Sequence, residues 1–290
     1  MSPRTLTVAA WNLGDAAGEE LTDAWRILRK INPDVLLLSA RRLFSDGQVT
    51  DEVKLEGVVC DGSAQAGEVP DESAQGVFVR TQTFSMIDSW TRSRTWWLHP
   101  AHLVVRFADC PTSLNLVSFY MCRADSVRRQ TEARALTELA HPGMFTLAGG
   151  PTFSYPHRRE PLIDLPVWTA QDDPAHRAQR TRLDGQGAVI DTLPDAILTG
   201  GDPAPFHDLA RYTADRRGLP NALLPTTADD GLIPDGGQRT YRIYGTRGMT
   251  EALHYVKHYP QTETRHVTPH SLVIARFHRS QLARLLCETD

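Results

Sequence analysis

Two stretches decide the fold: Leu6-Thr7-Val8-Ala9-Ala10-Trp11, which runs into Asn12-Leu13-Gly14, and Asn32-Pro33-Asp34-Val35-Leu36-Leu37-Leu38. The first is apolar and ends in turn residues, as a buried strand does where it leaves a sheet. Between the two, Leu21, Trp25, Leu28 and Ile31 recur at helical spacing, and Pro33 cannot continue a helix, so the helix ends at Asn32-Pro33-Asp34. Val35 to Leu38 is a continuous apolar run, the pattern of a strand covered on both faces. The opening is therefore a strand, helix, strand unit.

Outward from that unit, strands are predicted at Gly76 to Arg80, Phe84 to Trp90, His102 to Phe107 and Asn115 to Tyr120. Asp61 to Gln75 lacks periodicity and reads as a surface loop. Arg128 to Ala140 predicts a helix ending near His141-Pro142-Gly143, followed by Phe145-Thr146-Leu147-Ala148 and a Gly149-Gly150 turn. Residues 151–240, rich in Pro, Gly and Asp, read as long connections with helical hints only at Asp195 to Thr199 and His207 to Tyr212. Regular structure resumes at Tyr241 to Tyr244, His254 to His258 and Ser271 to Phe277. A tail follows with Leu282, Leu285 and Leu286 on one helical face and Ser280 as N-cap. No internal repeat is visible, and this order suits mixed sheets packed face to face with helices outside.

Composition narrows the class. The 290 residues are 41% hydrophobic and 23% charged, enough apolar material for a sizeable core. With 31 basic and 35 acidic residues the formal charge is -4, so no overall positive field draws the chain to nucleic acid or an anionic membrane. Lysine occurs only at 30, 54 and 257, an arginine bias that suggests a GC-rich genome such as an actinobacterium or one of its phages. Cys60, Cys110, Cys122 and Cys287 show no C-x-x-C spacing and read as free buried thiols. The N-terminus has no positively charged start leading into an apolar h-region, and no apolar run approaches the roughly 20 residues of a membrane span. A cytoplasmic setting, or a virion interior if phage-encoded, is the expectation.

Trp11-Asn12, Asn32 to Leu38, Gly149-Gly150, Arg242-Ile243-Tyr244 and Thr268-Pro269-His270 occur in an order and spacing that resembles the endonuclease/exonuclease/phosphatase superfamily, the DNase I-like nucleases and phosphatases, over nearly the entire chain. The resemblance implies an α/β fold, a four-layer α/β sandwich of two packed mixed sheets flanked by helices. It places residues 1–278 in a single domain and 279–290 in a C-terminal helical tail. It also implies a site built by loops at one end of the sheets, where family members hold Mg²⁺ or a similar ion with oxygen ligands to hydrolyse phosphate esters.

At that implied site most of the chemistry is missing. Asn12 is present where the family has Asn. The family's metal-binding Glu falls on Ala40, its phosphate-contacting His on Tyr120, and the Asp and Asn of its Gly-Gly-Asp-x-Asn turn on Pro151 and Phe153. An Asp before the Arg-Ile-Tyr strand falls on Tyr241, and the closing Ser-Asp-His reads Thr268-Pro269-His270. The nearest acids, Asp34, Asp46, Glu160, Asp164 and Glu263, lie several residues off, farther than a strand can slide while keeping its buried face buried. Losing one electrostatic contributor of such a site costs about 10² to 10³ in rate, so no catalytic residue, no metal and no cofactor is expected.

The expected function is a catalytically inactive relative with a structural or protein-binding role, its partner a protein or a second copy, in an assembly such as a phage or prophage particle. Asn12, Tyr120, Phe153 and His270 are its candidate binding residues. The alternatives are new chemistry in the old cleft with His270 and Tyr120 as acid and base, residual metal-dependent phosphoesterase or nuclease activity, and nucleic-acid binding without cleavage. Two basic clusters, Arg123 to Arg134 and Arg177 to Arg182, read as solvated faces. Trp90, Trp96 and Trp97 are either core or a surface patch. His254 and His258 on one strand would stand about 13 Å apart, too far to share zinc.

Overall fold

A computed structural model describes residues 4–41, 44–61, 74–90, 96–160, 174–227 and 237–288. β1 (Thr5–Asn12), α1 (Glu19–Ile31) and β2 (Val35–Ala40) form the expected strand, helix, strand unit. α1 ends as its sequence dictates: Asn32 turns left-handed at φ 53°, returns its N–H to the Leu28 carbonyl, and is followed by Pro33. Then come α2 (Asp46–Val53), β3 (Glu56–Asp61), β4 (Ala74–Val79), β5 (Phe84–Trp90), β6 (Ala101–Phe107), β7 (Ser113–Ser118), α3 (Ser126–Thr137) and β8 (Phe145–Pro151). α4 (Pro174–Arg180), the hairpin β9 (Thr181–Asp184) and β10 (Gly187–Ile190), α5 (Leu193–Thr199), β11 (His207–Asp208), α6 (Leu209–Arg217) and a 3-10 turn (Pro220–Leu223) follow. The chain closes with β12 (Tyr241–Gly245), α7 (Arg247–Ala252), β13 (Leu253–His258), α8 (Gln261–Thr264), β14 (Val273–His278) and α9 (Arg279–Cys287).

Two six-stranded mixed sheets carry the fold, in the orders β13-β14-β1-β2-β4-β3 and β11-β12-β8-β7-β6-β5. Each holds one parallel pair built by a helical crossover, β1 with β2 across α1 and β7 with β8 across α3; the remaining pairings are antiparallel. Strand parity sorts the core into three slabs. Leu6, Val8 and Ala10 of β1 and Val35 and Leu37 of β2 point between the sheets. Ala9, Trp11, Leu36 and Leu38 point the other way, to Trp25 and Leu28 of α1 and Val49 of α2. On the far sheet, Val117 and Ala148 meet Ala133 and Leu136 of α3 and Leu198 of α5. Helix, sheet, sheet and helix are thus the four layers of the expected sandwich. Among the described residues no helix is long and apolar enough to cross a membrane.

Several expectations need correction. Cys110 and Cys287 are not free thiols: they form a disulfide across 177 residues, leaving Cys60 and Cys122 free and buried. Spacing could not reveal a pair so far apart, and a disulfide withdraws the support that four free thiols lent to a reducing setting. The last helix begins at Arg279 after His278 with no side-chain cap, so Ser280 is not its N-cap; it buries Leu282 and Leu286 in the inter-sheet core. His207-Asp208 is a short strand, and the Asp208 carboxylate caps the helix after it by accepting the Ala210 and Arg211 N–H groups at 3.0 and 3.2 Å. The loop expected over 61–75 lies mostly outside the described residues, with Asp61 and residues 74–75 in strands.

The described parts of 151–240 are more ordered than a run of connections. Buried ion pairs hold them, and apolar periodicity does not report those. Arg129 on α3 donates to Asp191 Oδ2 from Nε and Nη2 at 2.9 and 2.7 Å, both side chains fully buried. Arg239 bridges Glu160 and Asp208, and Arg242 reaches Asp195 at 3.2 Å. Removing one member of such a pair strands a buried charge.

Gly149-Gly150 is strand β8, not a turn. A Cβ on Gly150 would lie 1.9 Å from the Phe119 carbonyl oxygen. Gly150→Ala should therefore force the β7 and β8 ends apart and cost about 3 kcal/mol, read as a lower urea midpoint; an unchanged midpoint would show that the strand ends yield freely.

Candidate functional site

β1, β2, β7 and β8 end, and β12 and β14 begin, at the same end of the sandwich. The loops there enclose a cleft of about 460 Å³. Of the implied site positions, Asn12, Tyr120, Phe153, Pro269 and His270 line it. Ala40, Pro151 and Tyr241 do not. The Ala40 methyl packs among Phe44, Val49 and Ala74 on the helix side of β2; Pro151 pairs with Tyr241 in the sheet; Tyr241 is buried between the sheets, its hydroxyl donating to the Leu37 carbonyl at 3.4 Å.

The wall at residues 12–15 is held by the backbone of its neighbours. Asn12 Oδ1 accepts the Gly14 N–H at 2.9 Å, Leu13 N–H donates to Ser39 O, and Arg41 N–H donates to Gly14 O. Gly14 takes φ +57°, and a Cβ there would stand 3.3 Å from Thr268 Oγ1. Thr268 Oγ1 in turn donates to Asn12 O at 3.2 Å, and the Trp11 indole N–H donates to His270 O at 3.0 Å. Trp11 thereby fixes the main chain that carries His270.

Opposite, Tyr120 and Phe153 pack ring to ring at 4.9 Å with Leu98 beneath them. They line the cleft without closing it. Phe153 holds φ +47°, a left-handed conformation that Asn or Gly adopts more readily than Phe. The Arg180 guanidinium lies over its ring at 5.0 Å from the centroid.

Sequence reasoning missed the cations. Arg41, Arg123, His176 and Arg180 line the cleft beside His270, with Asp15 and Glu20 as its carboxylates. The solvated-face reading of the basic clusters is corrected at three positions: Arg123 and Arg180 reach the cleft, and Arg129 is fully buried. Solvated arginines carry the same local sequence signature, so no signal separated them. Of the tryptophans, Trp96 is core and Trp90 is 42% exposed. His254 stacks on His278 at 4.4 Å while His258 Nε2 meets Ala222 O at 3.1 Å, so the two serve different neighbours.

These groups do not fit a divalent cation. Asn12 is committed to its turn, Asp15 pairs with Arg41 at 3.3 Å, and Glu20 Oε2 accepts the Ala17 N–H at 3.1 Å. Positions 40, 151, 153 and 269 offer only hydrocarbon, ring and imino side chains. Hard cations need several oxygens converging at once, and among the described residues no three His, Cys, Asp or Glu side chains gather to hold a metal.

Arg123 is aimed from below. Arg129 Nη1 donates to the carbonyls of Cys122 and Arg123 at 3.1 and 3.0 Å, and the buried Glu132 carboxyl accepts the N–H groups of Cys122 and Trp97 at 2.6 and 2.8 Å. Burial pushes Glu132 up to about 7, against the pull of those N–H groups and of Arg128 and Arg129. A carboxyl that holds its proton more tightly folded than unfolded favours folding at low pH. That contribution is lost as pH rises from about 4.5 to about 7. Urea midpoints measured across this interval should fall for the native chain and fall less for Glu132→Gln; parallel curves would show that Glu132 does not titrate there.

No protein-family model and no curated protein matches the chain. Solved structures do. D. rerio TDP2 humanised by 14 mutations is 14% identical, with TM-score 0.58, over 95% of this chain and 99% of that one. The endonuclease/exonuclease/phosphatase from Bacteroides vulgatus is 9% identical at TM-score 0.60 over 94% and 98%. The human Nocturnin catalytic domain with bound sulfate is 9% identical at TM-score 0.59 over 94% of both. At such identities the likeness is one of fold: the chain has the DNase I-like, endonuclease/exonuclease/phosphatase fold.

Proposed function

We propose that this chain is a non-hydrolytic form of the DNase I-like fold whose cleft works as a metal-free pocket for a phosphate-bearing ligand. One observation carries the reading: three arginines and two histidines line the cleft, while its two carboxylates are engaged by Arg41 and by the Ala17 N–H. Cations without metal-binding oxygens can grip a phosphodiester but cannot supply a metal-bound water to attack it. Neighbours of the same fold lend support through what they hold or act on: Nocturnin with a sulfate anion, D. rerio TDP2 with a single-strand DNA product, and a mannosyl-6-phosphatase from Bacteroides thetaiotaomicron. His270 and Tyr120 serve here as binding groups, with no route to acid and base chemistry needed.

Purified protein should leave plasmid DNA, phosphodiesters and phosphomonoesters intact with Mg²⁺, Mn²⁺ or Ca²⁺. Turnover that follows the protein and disappears with EDTA would overturn the reading. A short single-stranded oligonucleotide should bind at low salt, weaken steeply as salt rises, and bind about tenfold or more weakly to Arg41→Ala/Arg123→Ala. Equal binding by that variant would remove the cleft from the account.

A second reading, a structural role through self-association, is favoured by β5. This edge strand pairs only with β6 among the described residues and exposes Met86, Ile87 and Trp90 by 44, 47 and 42%. An open apolar edge invites strand addition, here by a second copy, as a subunit of a phage particle or similar assembly would provide. Sedimentation equilibrium should show a dimer that Ile87→Lys disperses; a monomer at high concentration would discard this reading.

A further inference from the structure

At the end of the sandwich opposite the cleft, β14 runs into α9, and the turn joining β6 to β7 carries Cys110. α9 closes this end of the slab between the sheets with Leu282 and Leu286, in the cluster that also holds Phe84, Phe107 and Cys110. Its first residue is anchored three times. Arg279 N–H donates to Arg4 O at 3.2 Å, its Nη2 donates to Thr83 Oγ1 at 3.5 Å, and its guanidinium lies 5.3 Å from the centroid of the Phe107 ring. At the other end of the helix, the Thr112 N–H donates to Leu286 O at 3.3 Å, and Cys287 is bonded to Cys110. β14 lies in one sheet and β6 and β7 in the other, so this covalent bond clasps the two sheets together.

The two halves of the bond sit in unlike settings. Cys110 is buried, while Cys287 is exposed at the end of its helix. Exchange with a thiol needs access to one sulfur, and disulfides open to solvent are the labile ones. A thiolate arriving from solvent therefore meets Cys287. The chain's own thiols do not compete for it. Cys60 and Cys122 are both buried, and burial, then the Glu132 charge, push the Cys122 thiol up to about 11. A thiol held protonated and out of water is a poor nucleophile, so the bond is not reshuffled from within.

We propose that Cys110–Cys287 is a redox-sensitive clasp: an external dithiol opens it at Cys287, and the last turn of α9 then leaves the β6–β7 turn and uncovers the end of the inter-sheet core. The reductant's thiolate attacks Cys287 Sγ, the S–S bond breaks, and Cys110 departs as a thiolate that takes up a proton. The reductant's second thiol then displaces Cys287, which also leaves protonated. Two electrons and two protons pass from the dithiol, itself closed to a disulfide, to the two cysteines. Opening the bond returns to the unfolded chain the freedom that a link across 177 residues had removed. The folded state loses that advantage, and the turn of helix beyond the Arg279 anchor is the part left with the fewest ties.

The test uses the full chain, purified in air, with thiol alkylation read by mass spectrometry. Denatured without reductant, it should take up label at Cys60 and Cys122 alone. Treated with dithiothreitol while folded and then alkylated, it should take up label at Cys287 and Cys110 and leave Cys60 and Cys122 unlabelled. Reduction should lower the thermal midpoint by about 10 °C and speed amide exchange at residues 284–288, with α1 and α3 still protected. Cys287→Ser should show the same midpoint and exchange without dithiothreitol, and respond to it no further. Label at all four cysteines before reduction, a bond that dithiothreitol opens only after denaturation, or a reduced chain with unchanged midpoint and exchange would overturn the proposal.

Discussion

Alternation along β1 and β2 is the constraint on which the molecule rests. Every residue of these strands but Thr5 is buried, odd and even positions on opposite faces, and the parallel register pairs Val8 with Val35 and Asn12 with Ser39. A slip by one residue would send Val8 and Leu37 into the helix layer and Trp11 into the inter-sheet slab. The register therefore cannot drift, and it sets where β1 and β2 end. Asn12, Gly14 and Arg41 occupy the cleft wall because they stand at or just past those ends. Both central crossovers repeat the arrangement, so four strand ends open on one surface.

What stands on those ends is held by buried arginines. Arg129, Arg239 and Arg242 each neutralise acids from a distant segment, and each is almost fully withdrawn from water. Such pairs contribute little net stability over a well-packed apolar substitute, but breaking one is costly. Their effect here is positional. Arg129 and Glu132 aim the 121–123 segment at the cleft, and Arg242 seats Asp195 under His157. The walls of the cleft and of a second cavity, lined by His157 and Asp195, thus depend on one band of buried charge behind the second sheet. Phe153 holds a left-handed backbone that suits Asn better than Phe, while its ring packs on Tyr120 and under Arg180.

Much of the fold was legible where periodicity carried it. The runs at Leu6 to Trp11 and Val35 to Leu38, and the helix ended by Pro33, appear as read. β3 and α2 escaped because Glu56-Gly57-Val58-Val59 is short and Asp46 to Val53 buries only Val49 and Val53. The site was half legible. Asn12, Tyr120, Phe153, Pro269 and His270 do meet, but Ala40 and Tyr241 turn into the core and Pro151 pairs within the sheet. Arg41, Arg123, His176 and Arg180 gave no sign of converging, because they lie far apart in the chain and each looks locally like any surface cation.

The sequence alone determined the alternation and helical spacing that sort residues into layers, since burial of side chains at period two or near 3.6 is a local property. It determined as well that positions 40, 151, 153 and 269 carry a methyl, a ring or an imino nitrogen, none of which can coordinate a hard cation wherever it is placed. Only the tertiary structure decided which charges pair across the chain. It joined Cys110 to Cys287, set Arg180 over Phe153, and turned a run of Pro, Gly and Asp after residue 151 into walls of two cavities. Coulomb attraction and desolvation act between groups brought near by the packing of sheets and helices, and no local pattern records that distance.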